Sequence, residues 1–330
     1  MTGMMKAVWY EANGAAEDVL VSGEMPVPAP GAGEVLVRLH TSGVNPSDVK
    51  ARAGLRPMGF PRVIPHSDGA GTVEAAGIGV DPAMVGSRVF VRNGQWRRAF
   101  GTAAQSITIE AGCVHPLPDI VSFETGAALG IPALTAACAV LKDGSVTGQT
   151  ILIHGGNGSV ARLAVQIAVD CGATVFATTG DMARADRIIE AGAARVFDYR
   201  DPDLMRMATA AAGAPGVTRI IDPECGMNIA TSLDIIAERG VIVGYGSVQQ
   251  PVPELPFLKM MFKNITLSSI LVYLLRDEEA ASHAAIVGDM LTRQVLDVPV
   301  QEILPLDQAA WAHQLVEVGN RTGAIILNTD

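Results

Sequence analysis

The chain reads as an α/β protein in which a doubly wound parallel sheet is joined to a smaller β-rich domain. Three observations carry that reading. Between about residues 150 and 245, short apolar runs alternate with helical periodicity, the βαβ rhythm of a parallel sheet. Inside that block, Gly156-x-Gly158-x-x-Ala161 follows the apolar run Ile151–Ile153 at once and matches G-x-G-x-x-G/A. Before residue 124, by contrast, short β-prone runs are cut by Pro and Gly clusters.

Taken in order, Lys6–Tyr10, Val19–Val21, Val35–His40 and Gly71–Ala75 are strand candidates, with Pro26–Gly33 as the longest break. From Ser122 the period changes. Phe123–Leu129 and Ala133–Leu141 read as helices, with Ser122 as N-cap and Glu124 and Thr125 in the first turn. Strands are expected at 151–154, 174–178, 195–198, 218–222 and 240–244, and helices at 183–191, 203–212 and 228–238. Past about 265 the pattern loosens. Ile265–Tyr273 reads as one more strand, Ala280–Thr292 and Leu306–Val318 as helices, and Ala324–Leu327 as a closing strand. Residues 1–124 and 266–330 are therefore expected to form one domain, with 125–265 inserted as the other.

The glycine turn carries chemistry. Val160, Leu163, Ala164, Ile167, Ala168 and Cys171 form one apolar stripe on the following helix, and Gly172 closes it. Gly156 permits a turn too tight for a Cβ, Gly158 lets a pyrophosphate approach the backbone, and Ala161 lets helix and strand pack closely. The helix N-terminus offers N–H groups and a positive dipole end. Gly155, Gly156, Asn157, Gly158, Ser159 and Val160 are thus the expected phosphate cradle. A plain βαβ crossover is the bland alternative; the full strand–turn–helix–strand context favours a dinucleotide.

With 330 residues, 49% hydrophobic and 18% charged, the chain can build two cores. A net charge of −10 speaks against nucleic acid or an anionic membrane surface as partner. The longest apolar run, near Ile270 to Leu275, is too short to span a bilayer. No signal peptide is seen, and Cys113, Cys138, Cys171 and Cys225 lack C-x-x-C spacing, as expected of reduced cytoplasmic thiols.

Several separate stretches resemble the medium-chain dehydrogenase/reductase superfamily, within it the zinc-independent quinone oxidoreductase (zeta-crystallin-like) and enone reductase branch. They are Gly43–Gly54, Gly69–Val73 with Gly77, Val85–Val89, Leu117-Pro-Asp with Phe123–Leu129, Leu134-Thr-Ala136, the glycine turn and Gly240–Ser247. The resemblance spans nearly the whole chain in family order. It implies a GroES-like β domain plus a Rossmann domain, and a homodimer in which Ile265–Leu275 is the natural interface strand.

Zinc alcohol dehydrogenases of the superfamily carry Cys where this chain has Asn45 and a Gly-His-Glu run where it has His66-Ser67-Asp68. Both ligand positions are thereby lost, and residues 92 to 112 hold no Cys for the structural-zinc lobe. No metal is expected, since a catalytic zinc needs three N, S or O ligands. His66 and Asp68 are expected to form a hydrogen-bonded pair bracing the cleft.

At the end of the second strand, where NAD enzymes place an acid, stands Thr178-Thr179-Gly180. Asp181 follows, in capping position for the next helix. Arg184 and Arg187 lie in its first turns, with guanidinium groups suited to a 2′-phosphate. A solvated helix face is an equal reading for each. The resemblance links Tyr199 to that phosphate. NADPH is expected ahead of NADH.

Hydride transfer to a conjugated acceptor needs donors aimed at the oxygen where charge builds. Asn45 and Lys50 are the candidates. The related quinone reductases often have Tyr at the Lys50 position and several enone reductases have Lys, which draws the substrate class toward enones beside quinones. Alternatively, Pro46 and Asp48 simply start a helix with Lys50 solvated on it. The resemblance places Thr135 near the nicotinamide and Arg321 near the cofactor. Tyr245, Gly246 and Ser247 follow the last clear strand, where the nicotinamide should lie. The resemblance places Trp96-Arg-Arg98 in a variable loop near the cleft, read as a solvated loop ahead of a contact to an anionic substrate. The expected activity is NADPH-dependent reduction of a quinone or enone. A zinc-type alcohol dehydrogenase with a degenerate site, or a non-catalytic NADPH-binding sensor, are the alternatives.

Overall fold

The structure, a computed structural model, describes residues 3–330. The chain forms two compact units. One takes the chain up to Leu134, then Leu275–Gln294 and Val298–Asp330; the other is Thr135–Leu274 with Val295–Asp297.

The first unit opens with β1 (Met4–Trp9) and β2 (Val21–Pro26), an antiparallel pair linked through the single turn α1 (Ala16–Val19). The strand expected at Val19–Val21 is thus displaced. Ala16 is buried, and Glu17 and Asp18 sit in the first turn, where the helix dipole favours acids. Then come β3 (Glu34–Val44), α2 (Pro46–Arg52), β4 (Asp68–Ala76), β5 (Arg88–Val91), β6 (Ser106–Glu110), β7 (Val114–Pro116) and α3 (Phe123–Gly126). Along β3 the side chains alternate, with Val35, Val37 and Leu39 fully buried and Glu34, Leu36 and Arg38 half-buried. Those three pack with Val73, Val89, Val91, Ile107, Ile109 and Val114. Each such side chain taken from water stabilises the fold by roughly 1.5–3 kcal/mol.

The helix α4 (Pro132–Leu141) leads into the second unit. There β8 (Thr150–Ile153), α5 (Ser159–Asp170), β9 (Thr174–Thr179), α6 (Ala185–Glu190), β10 (Arg195–Asp198), α7 (Leu204–Ala212), β11 (Val217–Asp222), α8 (Cys225–Ile235), β12 (Ile236–Gly244), α9 (Phe257–Lys263) and β13 (Thr266–Ser269) alternate. All six strands pair in parallel, in the order β10-β9-β8-β11-β12-β13. Counted within the unit this is 3-2-1-4-5-6, so the order reverses between β8 and β11, where a doubly wound sheet binds its ligand. The helix expected at 228–238 ends at Ile235 instead, because Ile236 pairs with Val217 and begins a strand. Sheet pairing outweighs the helix propensity of Ala237-Glu238-Arg239.

The chain then returns to the first unit as α10 (Asp277–Thr292), β14 (Val300–Pro305), α11 (Ala309–Val318) and β15 (Ala324–Asn328). β15 runs antiparallel to β3 and parallel to β14, closing the order β14-β15-β3-β4-β5-β7. The unit boundaries differ from those expected at 124/125 and 265/266. α3 packs on β3 and β4, with Thr41 Oγ1 donating to the Phe123 carbonyl at 2.7 Å, which holds that stretch in the first unit. β13 completes the parallel sheet against β12, which keeps Thr266–Ser269 in the second. Among the described residues no helix is long and apolar enough to cross a membrane.

Candidate functional site

In the second unit the candidate residues gather at the carboxyl edge of the sheet. β8 ends at Ile153, and the turn that follows is closed by Gly156 N–H donating to the Thr178 carbonyl (2.8 Å) and Gly158 N–H to the Gly155 carbonyl (2.8 Å). The left-handed residue is Gly155, at φ 68, not Gly156. Gly156 is needed for a different reason: a Cβ there would lie 2.9 Å from Ile188 Cδ1 and 3.1 Å from Ala177 Cβ. The tight turn and the close packing are therefore divided between two adjacent glycines, correcting the role expected of Gly156. Gly158 is the N-cap of the twelve-residue α5 and supplies no capping side chain. Gly158 and Ser159 are exposed, so the first N–H groups of α5 face an open cradle.

Asn157 Nδ2 donates to Thr179 Oγ1 at 2.8 Å, tying the cradle to the end of β9. Thr179 Oγ1 also accepts from Asp181 N–H (3.0 Å). Beyond it, Gly180 is where Tyr199 packs: a Cβ at 180 would meet the ring at 2.6 Å and its hydroxyl at 2.7 Å. Tyr199 is half exposed, and its N–H donates to the Thr179 carbonyl at 3.1 Å. Asp181 does not cap through its side chain; it pairs with Arg184 at 3.1 Å. The acid best placed to compete for a ribose hydroxyl thus already has a cation. Arg200 pairs with Asp198 at 2.8 Å beside the Tyr199 ring.

At the next strand ends, Asp222 closes β11 in register with Gly244 of β12. Asp222 is fully buried. Its Oδ1 accepts from Glu224 N–H (2.8 Å) and Asn228 Nδ2 (3.0 Å), and its Oδ2 has no partner. Asp222 is not among the residues expected from sequence, where its one signal is an acid ending the apolar run Ile220-Ile221. Tyr245 N–H donates to the Asp222 carbonyl (3.0 Å), and burial, then Asp222, raise the phenol's pKa. Gly246 gives room to the Pro223 carbonyl, 2.3 Å from where its Cβ would stand. Ser247 Oγ accepts from Gly226 N–H (3.0 Å) and donates to the Gln250 carbonyl (2.5 Å), so it braces its own loop. His154 hydrogen-bonds Thr178 (3.0 Å) and Ser232 (3.3 Å), and burial lowers its pKa, which leaves a neutral packing residue. Thr135 is buried on α4.

In the first unit the candidate groups sit around α2. Pro46 starts the helix, and Asp48 Oδ2 accepts from the Asn45 N–H at 2.9 Å. The Asn45 amide donates to Asp68 Oδ2 at 2.8 Å, which leaves one of its two amide protons for another partner. Asp68 is fully buried; Oδ2 also accepts from Ile131 N–H (2.8 Å), and Oδ1 has no partner. Burial holds its pKa well above the usual carboxylate range, against the lowering by Ile131 N–H, with nearby Asp48 pushing it further. Asp48 is raised to about 7, by burial first, against hydrogen bonds from Asn45 and Ser67 and the charge of Arg56. Lys50 is half-buried on the same helix, and Arg321 lies half-buried in the α11–β15 connection, where burial lowers its pKa.

His66 and Asp68 do not pair, contrary to expectation. His66 has φ 76, a left-handed conformation suited to Gly, and Gly is what the zinc enzymes carry there. That backbone turns its ring away from Asp68 to Ser42 Oγ (Nδ1, 2.9 Å) and His313 Nε2 (Nε2, 2.8 Å). Burial lowers its pKa to about 3. His40 instead pairs with Asp330 at 3.1 Å. Among the described residues no three His, Cys, Asp or Glu side chains are grouped so as to hold a metal ion.

Two family models match the chain: an alcohol dehydrogenase GroES-like domain over residues 31–119 and a zinc-binding dehydrogenase over 159–286. The quinone oxidoreductase of Sus scrofa is 29% identical over 98% of both chains. A mycobacterial quinone oxidoreductase structure matches with TM-score 0.90 at 28% identity, covering 98% of this chain and 99% of that one. The Escherichia coli quinone oxidoreductase, solved with NADPH, matches with TM-score 0.85 at 26% identity over the same shares.

Proposed function

The chain belongs to the medium-chain dehydrogenase/reductase superfamily, in its quinone oxidoreductase branch, and on that premise we propose that it is an NADPH-dependent, metal-independent reductase of quinones. The carrying observation is the turn after β8, where Gly155, Gly156 and Gly158 keep the N-terminus of α5 clear of side chains at the sheet's switch point. The residues fit a dinucleotide: at each of these glycines a Cβ would meet neighbouring atoms.

For the 2′-phosphate, Tyr199 over Gly180 and the Arg184 guanidinium support NADPH over NADH. Asp181 is the counter-argument, and its pairing with Arg184 weakens it. For metal independence, the support is the chemistry of the side chains themselves. Asn45 spends an amide proton on Asp68, and Ser67 hydrogen-bonds Asp48. Neither offers the thiolate or imidazole of a zinc ligand.

Bound NADPH supplies a hydride, two electrons with one proton, and a second proton completes the hydroquinone. The chain's part is to hold the acceptor and meet the charge that builds on its oxygen. Asn45 presents its remaining amide proton, and Lys50 presents an ammonium group on the same helix. Asp48 fixes Asn45 from the backbone side and Asp68 from the side-chain side. The same donors suit the enolate oxygen of an activated alkene, so enones form the second acceptor class. Thr135, Tyr245, Gly246 and Ser247 are the residues assigned to the nicotinamide end, and Arg321 is assigned to the cofactor.

The acceptor is small, neither nucleic acid nor a membrane, and the setting is cytoplasmic. A homodimer as the active form is supported by the β13 edge, which carries exposed Leu267, and by exposed Phe257, Leu258 and Phe262 on the preceding helix α9.

The test mixes purified protein with NADPH or NADH and a panel of quinones, enones and aldehydes, following absorbance of the reduced cofactor. Quinone-dependent oxidation of NADPH is expected; none with any acceptor overturns the reading. Stoichiometric zinc by metal analysis would overturn the metal-independent part.

A further inference from the structure

The first unit contains a pocket of about 270 Å³ bordered by two loops, with Tyr10 and Ala51 in its floor. From one loop come Arg56, Met58 and Phe60, from the other Gln95, Trp96 and Arg97. The guanidinium carbons of Arg56 and Arg97 lie 5.5 Å and 5.2 Å from the centroid of the one Trp96 ring. Two cations therefore border one indole, each within cation–π reach of it. Elsewhere guanidinium groups meet carboxylates, as Arg92 does with Asp277 and Arg219 with Asp143. No ion pair joins Arg56 or Arg97 to an acid among the described residues, in a chain of net charge −10. Arg97 is also held at φ 56, left-handed backbone that a side chain of its size rarely adopts. Strain of that kind persists where surrounding structure imposes it, and it clusters at ligand clamps.

The pocket floor is the other half of the observation. Ala51 follows Lys50 on α2 and lies one turn after Asp48, and the charge of Arg56 acts on both Tyr10 and Asp48. The pocket thus abuts the helix that carries Asn45 and Lys50.

We propose that this pocket binds an anionic group carried on a flat apolar body, and that the hydride acceptor is a quinone or enone bearing such a group. The guanidinium forks of Arg56 and Arg97 take the anion, and Trp96, Met58 and Phe60 take the apolar body. The second clause rests on the reductase reading above; the first does not. A carboxylate and a phosphate share this chemistry.

The experiment separates the sources and the readings. Naphthoate, naphthyl phosphate and neutral naphthol are titrated into the full chain by calorimetry. Steady-state KM is measured for naphthoquinone and its sulfonate. Wild type is expected to prefer the better anion over naphthol by tenfold or more, as a charge-assisted pair contributes. Which anion binds more tightly identifies the source. The preference should collapse toward unity in R56Q/R97Q, and the KM ratio of the two quinones with it. Both arginines are exposed, and an unchanged melting curve shows the variant folded. Raised salt should erode the wild-type preference without any substitution. An anion preference that is absent in wild type, or that survives R56Q/R97Q, overturns the proposal. Anion binding without turnover of either quinone leaves the pocket standing and overturns the acceptor clause, and the reductase reading falls with it only if the whole panel of quinones, enones and aldehydes also fails.

Discussion

The Asn45 amide donates to Asp68 Oδ2 at 2.8 Å, and the other oxygen of that carboxyl is buried without a partner. Oδ2 accepts two N–H groups, from Asn45 and Ile131, in a site that favours the neutral carboxyl. Burial sets this, by holding the Asp68 pKa well above its usual value.

Asp68→Asn keeps a neutral acceptor of the same shape and should change stability by less than about 1 kcal/mol. Asp68→Leu strands two buried donors and should cost about 2–4 kcal/mol, read by denaturant melts. A carboxylate at this position would reverse the order, making Asp68→Asn the damaging change. Asn45→Ala removes the donor proposed to meet the acceptor and should lower kcat/KM by about ten- to hundredfold, a transition-state loss measured by steady-state kinetics.

At the cofactor end, Gly180→Ala drives a methyl into Tyr199, whose ring lies 2.6 Å from that point. With Tyr199→Ala it should raise KM for NADPH by roughly tenfold, the equivalent of one lost contact to a charged group. KM for NADH should stay within about twofold by the same conversion. Equal rises for both cofactors would remove Tyr199 from the 2′-phosphate site.

The His66–His313 pair has a fixed direction. Thr102 Oγ1 donates to the Asp68 carbonyl at 2.6 Å, so Ser42 Oγ–H is the proton left for the Ser42–Thr102 bond. His66 must then donate from Nδ1 to Ser42 and accept at Nε2 from His313 Nε2–H. Nitrogen-15 NMR should find His66 as the Nδ1–H tautomer and His313 as Nε2–H. Burial lowers both pKa values, His66 to about 3. A lowered base loses stability as pH falls from its unfolded value near 6.5 toward the folded one, since the unfolded chain takes up the proton first. Asp48, raised to about 7, has the opposite sign and loses stability as pH rises from about 4 to 7. Between about pH 4 and 6.5 the two effects oppose, so Asp48→Asn should steepen the fall in melting temperature as pH drops through that window.

The parallel sheet is legible because strands such as Ile151–Ile153 and Ile220-Ile221 are short apolar runs and the turns after β8 and β9 carry glycines, signals that lie within a few residues. The glycine turn after β8 is local in the same way, and Asn157 and Thr179, both named from the sequence, meet at 2.8 Å. The role of Gly156 was not, since Ile188, which demands its missing Cβ, stands thirty-odd residues away in sequence. The His66–His313 contact joins residues 247 positions apart, and a left-handed φ at His66 has no trace in the neighbouring residues. Asp222 was passed over because an acid at a strand end looks like a solvated turn until its burial is known.

The last expectation concerns assembly. β13 is the edge of the six-stranded sheet, paired with β12 on one side only. Phe262, on the preceding helix α9, is 80% exposed, and Leu258 is 65% exposed. An unpaired strand edge is a liability in a monomer, as are large exposed apolar side chains, and a second copy covering both removes it. Phe262→Glu would bury a charge in such an interface, at a cost of several kcal/mol. Light scattering should therefore find wild type as a dimer and the Phe262→Glu variant shifted to monomer at micromolar concentration. A wild-type monomer that stays clear of aggregation would show that this face needs no cover.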